Sequence, residues 1–455
     1  MKRKNSSAGI VVLVVLILIV AAMAYLYNSK MFEREAPSIE LKSNIEWNLK
    51  KPIPVKISDA SGIKFIRATL SDGKNSIVLV EKLFTAPTNE YTLNITFPRT
   101  GFITNKKKFS LEIEAVDTSK WNFFAGNQAM KKSIINVDTK RPALFIINNS
   151  YKIIQGGVGT VIFKVKDDNL KELYIQTNFG KRFYATPFYK DDHFISLLAW
   201  PSNEKNFKAT IIAKDKAGNV AKSRVRFYLK GKKYRISKIK LNDRFLDGKI
   251  TDIAEDENMQ STTMSKLEKF KYVNEDLRDA NEALISKITS KVPTERVDSI
   301  SLKPFYPLRN GQAVASFGDH RFFSYEGEEV SESYHLGLDL ASTANASVVV
   351  SNAGTIVFAK YNGIYGKNII ISHGLGIYSL YGHNSNFLFD EGDNVNAGDV
   401  ISKTGMTGLA LGDHLHFGIL VQGVEVRPEE WMDKKWMRES VFGVIKSAKK
   451  IIDRK

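Results

Sequence analysis

The chain has 455 residues, contains no cysteine and carries a formal net charge of +17. A chain of this length predicts roughly two to four domains rather than one hydrophobic core. The absence of cysteine excludes disulfide bonds, thiolate catalysis and cysteine-ligated structural zinc.

The positive charge is distributed unevenly along the chain. Residues 301–433 hold 7 Lys and Arg against 15 Asp and Glu, whereas the remainder holds 59 cations against 34 anions. An acidic segment is therefore joined to a strongly basic remainder. A basic surface attracts polyanions such as anionic lipid headgroups, and a solvated surface that only keeps the protein soluble is the alternative interpretation.

The first predicted element is an apolar helix at the N-terminus. A cationic flank at residues 2–4 precedes about 19 uncharged residues, 9–27, close to the length that crosses a hydrocarbon core of about 30 Å. The flank is expected to stay in the cytoplasm while the rest is exported. We predict a cytoplasmic tip and membrane anchor over residues 1–35, in a single-pass protein of the inner (cytoplasmic) membrane. Cleavage after Ala22-Met-Ala24 is the competing interpretation, and in both cases we predict no nucleic-acid partner.

Two similar β modules are predicted next, over residues 36–140 and 141–235. The stretch 113–127 (Ile-Glu-Ala-Val-Asp, then Gly-Asn) is echoed by 212–219 (Ile-Ala-Lys-Asp, then Gly-Asn), a repeat close to 100 residues. Short alternating strands between Gly, Asn and Asp turns predict two immunoglobulin-like sandwiches, and the pattern resembles bacterial Ig-like repeats of surface proteins. Neither module offers a catalytic cluster. We predict that they act as spacers or as binding surfaces for other cell-envelope proteins.

A helical connector is predicted over residues 236–295. Ser265 to Glu268 form a capping box, and Pro293 ends the helix. An earlier, shorter helix is predicted around Phe245, Ile250 and Ile253. The main helix has one apolar face, formed by Phe270, Val273, Leu277, Ala280, Leu284 and Ile288. Three interpretations stay open: an inter-domain hinge, a hairpin packed on the following domain, or a dimerisation helix.

The following segment, residues 296–436, concentrates the histidines: five of the seven fall within 82 consecutive residues. Residues two apart in a strand point to one face, so His414 and His416 would project their imidazoles into one site. His335 and Asp339 form a second spaced pair. Imidazole and carboxylate together suit Zn²⁺, and three protein ligands with an open fourth position indicate a catalytic zinc.

Several short motifs follow one another in this segment: Ser316-Phe317-Gly318 with Arg321, Tyr334-His335-Leu-Gly-Leu-Asp339, Ile371-Ser-His373-Gly374, Leu380-Tyr381-Gly382-His383, Glu391-Gly392-Asp393, Ala397-Gly398-Asp399 and His414-Leu-His416-Phe417. In this order they resemble peptidase family M23, the lysostaphin-type zinc metallopeptidases that cut peptides of bacterial peptidoglycan. The resemblance covers little more than a quarter of the chain. It implies a small, mostly antiparallel β-sheet with an open cleft, and therefore a mainly β protein.

The resemblance also implies roles for five residues. His335, Asp339 and His416 would bind one Zn²⁺ per chain, and His414 and His383 would be catalytic. No His-Glu-x-x-His motif is present to supply a glutamate base, whereas a neutral imidazole suits that task. We assign His414 as the likelier base of the two in view of its position beside His416, and His383 to the oxyanion or to assisted proton transfer; the two roles are interchangeable at this stage.

A β-hairpin is predicted from Lys367 to His383, with His373 as a structural residue of its turn. By alternation, Ile377, Ser379, Tyr381 and His383 would share the face that lines the cleft.

The last predicted element is an amphipathic helix over residues 437–455. The stretch 434–455 carries eight cations against two anions. Packing of its apolar stripe on the preceding domain is the favoured interpretation, and binding to anionic lipid is the other.

The expected function is zinc-dependent hydrolysis of peptide cross-links or bridges in peptidoglycan during cell-wall remodelling, on the periplasmic side of the membrane. A non-catalytic activator or scaffold for other wall hydrolases is the alternative; such domains characteristically lose metal ligands. The bond that is cut stays open between a D-Ala–diaminopimelate cross-link, a glycyl bridge and a stem-peptide carboxypeptidase site. Asp252 and the acids 255–257 of the connector are candidates to block the zinc, unless they are simply solvated.

Overall fold

The computed structural model describes residues 7–98 and 106–454. The chain divides into two compact units: residues up to 142 with 168–171 and 214–220 form one, and the remaining residues from 143 onward form the other. Strands dominate both units, as the predicted fold class requires. The bounds of the six segments given above stay predictions.

The N-terminal helix α1 extends from Ser7 to Asn28 and is followed by a 3₁₀ turn, Lys30–Phe32. Its 20 residues from Gly9 onward have a mean hydropathy of 3.1. Length and composition therefore fit a single membrane span or a signal sequence. The cationic flank at residues 2–4 lies outside the described residues.

The strands of the first unit form one sheet in the order β1-β3-β5-β6-β2, with β4 paired to β3. Burial alternates along β5, which confirms the half-buried strand predicted there. The strands are β1 Ser38–Glu40, β2 Asn44–Trp47, β3 Ile53–Ser71, β4 Ser76–Ile95, β5 Lys108–Asp117 and β6 Gln128–Val137.

The predicted second module contains two four-stranded sheets, β11-β10-β14-β15 and β12-β13-β9-β7, and a β16-β8 pair. Two sheets are what a sandwich needs, although the immunoglobulin-like classification of either module stays a prediction. The strands are β7 Ala143–Asn149, β8 Lys152–Ile154, β9 Val158–Lys166, β10 Leu170–Thr177, β11 Arg182–Phe183, β12 Thr186–Pro187, β13 His193–Ala199, β14 Ala209–Asp215, β15 Val220–Val225 and β16 Tyr228–Lys230.

The connector opens with strand β17, Ile236–Lys240, and continues as short helical segments. The predicted capping box is confirmed: Glu268 N donates to Ser265 Oγ, and Ser265 N donates to the Glu268 carboxylate. The segments are α2 Asp243–Phe245, a π-turn Leu246–Ile250, α3 Thr251–Glu257, a 3₁₀ turn Met259–Thr263, α4 Lys266–Tyr272, a second π-turn Val273–Leu277 and α5 Arg278–Ile288.

The predicted apolar face of the connector is correct as far as Leu277 and again at Ile288, which packs against the core, and it is wrong at Ala280 and Leu284. Ala280 is exposed and Leu284 is 39% exposed, whereas Asn281 and Ile285 are buried in their place. The second π-turn is the reason, because it accommodates one extra residue in the turn and moves the following helical face by one position.

The connector packs on the peptidase-like segment. Its buried side chains share one hydrophobic core with residues such as Phe323 and Leu380. The backbone N–H of Ile364 donates to Asn281 Oδ1 at 2.9 Å. Three interpretations of the connector were left open. The structure agrees with the one in which a helical hairpin packs on the following domain.

The C-terminal segment is built on an antiparallel sheet in the order β18-β21-β28-β25-β24-β23-β26, with β29 paired to β28. Strand β17 extends a ribbon of β19 and β20, and β22 pairs with β27. The strands are β18 Gln312–Ala315, β19 Asp319–Tyr325, β20 Glu328–His335, β21 Leu338–Ala341, β22 Ser347–Val349, β23 Gly354–Tyr361, β24 Lys367–Ser372, β25 Ile377–Asn384, β26 Asn394–Val395, β27 Val400–Lys403, β28 Leu415–Val421 and β29 Val424–Val426. A 3₁₀ turn, Gly363–Tyr365, precedes β24.

The tail is helical, and its apolar stripe faces a different partner from the one expected. Val444, Ala448 and Ile452 are buried, and the helix packs against β7 and β9 of the predicted second module rather than on the domain just before it. Asn148 Nδ2 donates to the Val444 carbonyl at 3.0 Å. The helical segments are α6 Pro428–Met432, α7 Lys434–Met437, a π-turn Arg438–Phe442 and α8 Gly443–Asp453.

A substitution that introduces a charge on the buried side of this helix tests its packing. Ala448→Glu should lower the free energy of unfolding by about 2 kcal/mol or more, because a carboxylate would lose water without gaining a partner. Ser447→Glu, which places the same charge on the exposed side of the helix, should leave the urea unfolding curve unchanged. Loss of binding to anionic vesicles by Ala448→Glu with an unchanged unfolding curve would show instead that the stripe faces lipid.

Candidate metal centre

Neighbouring strands bring three of the predicted site residues together. His335 ends β20, Asp339 lies in β21 and His416 lies in β28. Strands β21 and β28 pair in antiparallel register with Asp339 directly opposite His416. Residues opposite each other in a ladder share a face of the sheet, so both side chains enter the same site.

The three side chains are spaced as metal ligands are. Asp339 Oδ1 lies 3.0 Å from His335 Nε2 and 2.9 Å from His416 Nδ1, and the two nitrogens are 3.2 Å apart. Zinc bonds of about 2.0–2.1 Å in tetrahedral geometry separate neighbouring ligands by about 3.3 Å. The donor set and its spacing therefore fit zinc without rearrangement of the strands.

Neighbouring groups hold the histidine rings in ligating orientations. His335 Nδ1–H donates to the Ser316 carbonyl at 3.0 Å, which directs Nε2 toward the cluster. Gly337 leaves room for the His416 ring, because a Cβ at that position would overlap it.

The electrostatics favour the protonation states that bind metal. Burial alone would raise the pKa of the Asp339 carboxyl, but His335 and His416 outweigh it and hold that pKa well below its usual range. Burial lowers the pKa of His416, against the opposing effect of the Asp339 hydrogen bond. An ionised carboxylate and a neutral imidazole are the forms that act as ligands.

The two predicted catalytic histidines lie side by side next to this cluster. Their ring centroids are 4.8 Å apart, and the His383 ring is 5.8 Å from that of His416. In each ring Nδ1–H donates to a backbone carbonyl, that of Gly412 for His414 at 2.7 Å and that of Thr407 for His383 at 2.8 Å. Each neutral ring therefore presents an unprotonated Nε2.

His383 reaches the groove by a route that simple alternation misses. Tyr381 pairs with Phe417, and their rings are in contact on the face of the sheet opposite to His416. By alternation His383 would lie on that same opposite face. Its φ of +62° places it in the left-handed region instead, which turns the side chain to the groove. The shared face expected for Ile377, Ser379, Tyr381 and His383 is therefore wrong, although the predicted hairpin is confirmed.

His373 has a different surrounding from the other four clustered histidines. Its Nδ1 contacts the Ala353 carbonyl at 2.9 Å, and its Nε2 contacts Ser379 Oγ at 2.7 Å. Burial lowers the pKa of His373 to about 4. These contacts join the hairpin to a neighbouring loop, in keeping with the structural role expected for it.

The cluster opens into a cavity of about 380 Å³. Most of the other lining residues were not among the predicted site residues. They include Arg278 from the connector and Tyr365, whose ring is 5.4 Å from that of His416. Sequence patterns gave no signal for Arg278, because it is one of many cations in the connector and only connector acids were considered as groups near the metal. The lining residues on the peptidase side include Arg321, Leu336, Ile364, Leu409, Leu411 and Asp413.

The connector acids considered as blocking groups lie elsewhere. Glu255 forms an ion pair with Lys269 at 2.7 Å, and Glu257 raises the pKa of Tyr361 together with burial of that ring. Within the described chain, neither Asp252 nor residues 255–257 line the cavity. These acids therefore do not block the cluster in this structure, although Glu255 is ion-paired and not simply solvated.

The profile of peptidase family M23 matches residues 333–428. The DD-carboxypeptidase/endopeptidase Mpg of Neisseria meningitidis serogroup B is 39% identical over 94 residues, which are 21% of this chain and 22% of that protein. The murein hydrolase activator EnvC of Escherichia coli is 28% identical over 169 residues, 35% of this chain and 38% of that protein. A putative peptidase M23 from Pseudomonas aeruginosa is 18% identical and aligns with 62% of this chain and 95% of its own, at a TM-score of 0.39.

The C-terminal part of this chain is therefore an M23 peptidase domain, as its motifs predicted. Its relatives include proteins named as hydrolases and proteins named as activators of hydrolases. The matched stretch spans only about a fifth of the length of the Neisseria relative. The activity, substrate and partners of the whole chain are consequently proposals.

Two half-buried carboxyls, Glu282 and Glu425, predict how stability depends on pH. Burial raises the pKa of Glu282 to about 7 and that of Glu425 to about 8. An unfolded glutamate has a pKa of about 4.3, so the folded state binds more protons between roughly pH 4.5 and 8. The free energy of unfolding should therefore fall as pH rises through this range, by up to about 1.4 kcal/mol per pH unit for each proton.

Urea unfolding with EDTA at pH 5, 6.5 and 8 measures this slope without a contribution from metal. Glu425→Gln should flatten it, whereas the exposed Glu329→Gln should not. Equal slopes for the wild type and Glu425→Gln would contradict the assignment.

Proposed function

We propose that this chain is a zinc-dependent endopeptidase that hydrolyses peptide cross-links or bridges of bacterial peptidoglycan in cell-wall remodelling. One observation carries the proposal: three side chains with zinc-ligand spacing and two further histidines line one open cavity. An extended peptide can enter such a groove, and the M23 domain supports peptidoglycan as the source of that peptide.

In this proposal His335, Asp339 and His416 hold one Zn²⁺. The bound ion would supply a Lewis acid and a water molecule with a pKa near 7. The Ser316 carbonyl orients His335, and the surroundings of Asp339 and His416 favour their unprotonated forms.

His414 and His383 are the proposed acceptors of the proton that leaves the attacking water. With Nδ1–H donated to a carbonyl, the Nε2 atom of either ring can take a proton from an attacking water. Burial lowers the pKa of His383 to about 3, so this ring is neutral at physiological pH and a weak base. We therefore assign the general base to His414, whose side chain is 14% exposed. The Nδ1–H of His383 is already donated to the Thr407 carbonyl, so its proposed role narrows to assisting proton transfer as an acceptor at Nε2.

A non-catalytic activator is the second candidate, because the relatives include the murein hydrolase activator EnvC. An activator needs a surface for its partner but has no use for a complete set of ligands. The retention of His335, Asp339 and His416 with two flanking histidines favours catalysis. Bound zinc together with peptide hydrolysis separates the two functions.

The location that accompanies this function is the periplasmic side of the inner membrane. The apolar helix α1 would retain the chain as a single-pass anchor, and the two β modules would act as spacers or bind other envelope proteins. The substrate peptide, the membrane and those envelope proteins are the proposed partners.

Substitution of the cluster residues tests the metal assignment. His335→Ala, Asp339→Ala and His416→Ala should each lose bound zinc and hydrolysis together. His414→Ala and His383→Ala should retain zinc near one per chain while kcat falls by about a hundredfold or more, the contribution typical of general acid–base catalysis. Metal analysis of the purified variants and release of soluble fragments from peptidoglycan are the two measurements. Zinc retained at one per chain in His416→Ala would contradict the ligand set.

Fractionation of cells tests the anchor. The full chain should stay in the membrane fraction after carbonate extraction. Protease added from outside should cleave its C-terminal domain once the outer layers of the cell envelope have been made permeable. N-terminal sequencing is the control, because a mature N-terminus at Tyr25 would establish cleavage after Ala24 instead of retention.

A further inference from the structure

A pair of arginines lines the wall of the groove beside the metal centre. Arg278 begins helix α5 of the connector, and Arg321 lies in strand β19. Both face the cavity that contains His335 and His416. Burial lowers the pKa of Arg278, and the positive charge of Arg321 lowers it further.

The protein satisfies these guanidinium groups only in part. Arg278 Nε and Nη2 donate to the Asn274 carbonyl and Oδ1 at 3.1 and 3.0 Å, while Nη1 is 4.0 Å from the Glu282 carboxylate. In the described parts of the chain, Nη1 has no acceptor within hydrogen-bond distance. The pairing with Glu282 is weak as well, since burial raises the pKa of that carboxyl to about 7.

Arg321 has one weak partner. Its Nε contacts Asp319 Oδ2 at 3.4 Å, and both Asp319 oxygens already accept from Ser237 Oγ at 2.8 and 2.9 Å. Among residues 7–98 and 106–454, its two terminal nitrogens have no acceptor within hydrogen-bond distance. Two arginines whose remaining N–H groups have no protein acceptor therefore line one partly enclosed cavity, where an anion can bind them.

We propose that Arg278 and Arg321 form a subsite that binds a carboxylate of the substrate peptide. This inference rests on the proposed function. A guanidinium presents paired N–H groups that match both oxygens of a carboxylate, so two of them select for that group over a neutral amide. The connector would thus supply a specificity-determining residue to a groove otherwise formed by the M23 domain.

The subsite narrows the class of substrate. A carboxylate close to the bond that is cut occurs in stem peptides, either as the α-carboxylate of a terminal D-amino acid or on a diamino diacid residue. A glycyl bridge has no such group between its ends. The arginine pair therefore favours stem-peptide and D-Ala–diaminopimelate substrates over glycyl bridges.

Matched peptides test the subsite. Two pairs of synthetic cross-linked stem peptides are needed: one pair differs only in a free or amidated terminal α-carboxylate, the other only in a free or amidated carboxyl of the diamino diacid. The full-length, zinc-loaded protein should bind and cleave the free acid of at least one pair at least tenfold better than its amide, about 1.4 kcal/mol. The pair that is discriminated identifies the carboxylate.

The variants should remove this discrimination. Arg278→Gln and Arg321→Gln should each lower the preference for the free acid over its amide at least fivefold, chiefly through a higher KM for the free acid. Arg278→Lys keeps the positive charge but lacks the paired N–H groups of a guanidinium, so it should lose part of the preference for the free acid. Arg244→Gln removes the same charge from an exposed position of the connector and should behave as the wild type. A merely structural Arg278 would alter the unfolding midpoint and both peptides alike.

Calorimetric binding separates the failure of this inference from the failure of the proposed function. Preferential binding of a free acid without hydrolysis supports the subsite and contradicts the endopeptidase. Equal binding and cleavage of acids and amides by the wild type would overturn the subsite while the endopeptidase stands. Arg278→Gln and Arg321→Gln variants that both keep the wild-type preference would overturn it too.

Discussion

Asp339 lies opposite His416 in the paired strands β21 and β28, and its Oδ1 atom is within 3.0 Å of two imidazole nitrogens. This shared contact holds an ionised carboxylate inside a partly buried site, where burial alone would favour its neutral form. The remaining features are arranged around it. The Ser316 carbonyl orients His335, and Gly337 leaves space for the His416 ring. Replacement of Asp339 would accordingly disturb both histidines as well as a metal.

The neighbouring pair, His414 and His383, shows how backbone conformation creates a site. A left-handed backbone at a residue with a side chain is unfavourable by about 1–2 kcal/mol and persists only where its surroundings stabilise it. At His383 the Thr407 carbonyl accepts from Nδ1–H and supports that conformation. The consequence is chemical, because Nε2 then enters the groove in its unprotonated form.

The connector precedes the M23 domain in the chain, and it packs on that domain beside the groove. Its apolar side chains complete a core with the peptidase sheet, and Asn281 accepts from the Ile364 backbone next to the cavity. A connector packed in this way is part of the groove wall and does more than set a distance. A fragment that contains only the M23 domain would therefore lack Arg278. Its groove would differ chemically from the groove of a fragment that includes the connector.

The sequence by itself was sufficient to predict a mainly β chain, an apolar N-terminal helix, the capping box at Ser265 and five candidate site residues. The helix and the capping box depend on short spacings and residue types, which are local properties. The full set of site residues and the β-sheet of the last domain were implied by the resemblance to family M23. Tertiary structure alone decided the rest. One extra residue in a π-turn rotated α5 and buried Ile285 in place of Leu284, one positive φ moved His383 across its sheet, and the tail helix docked on a distant module. Periodicity cannot anticipate such changes, because each depends on contacts between segments far apart in the chain.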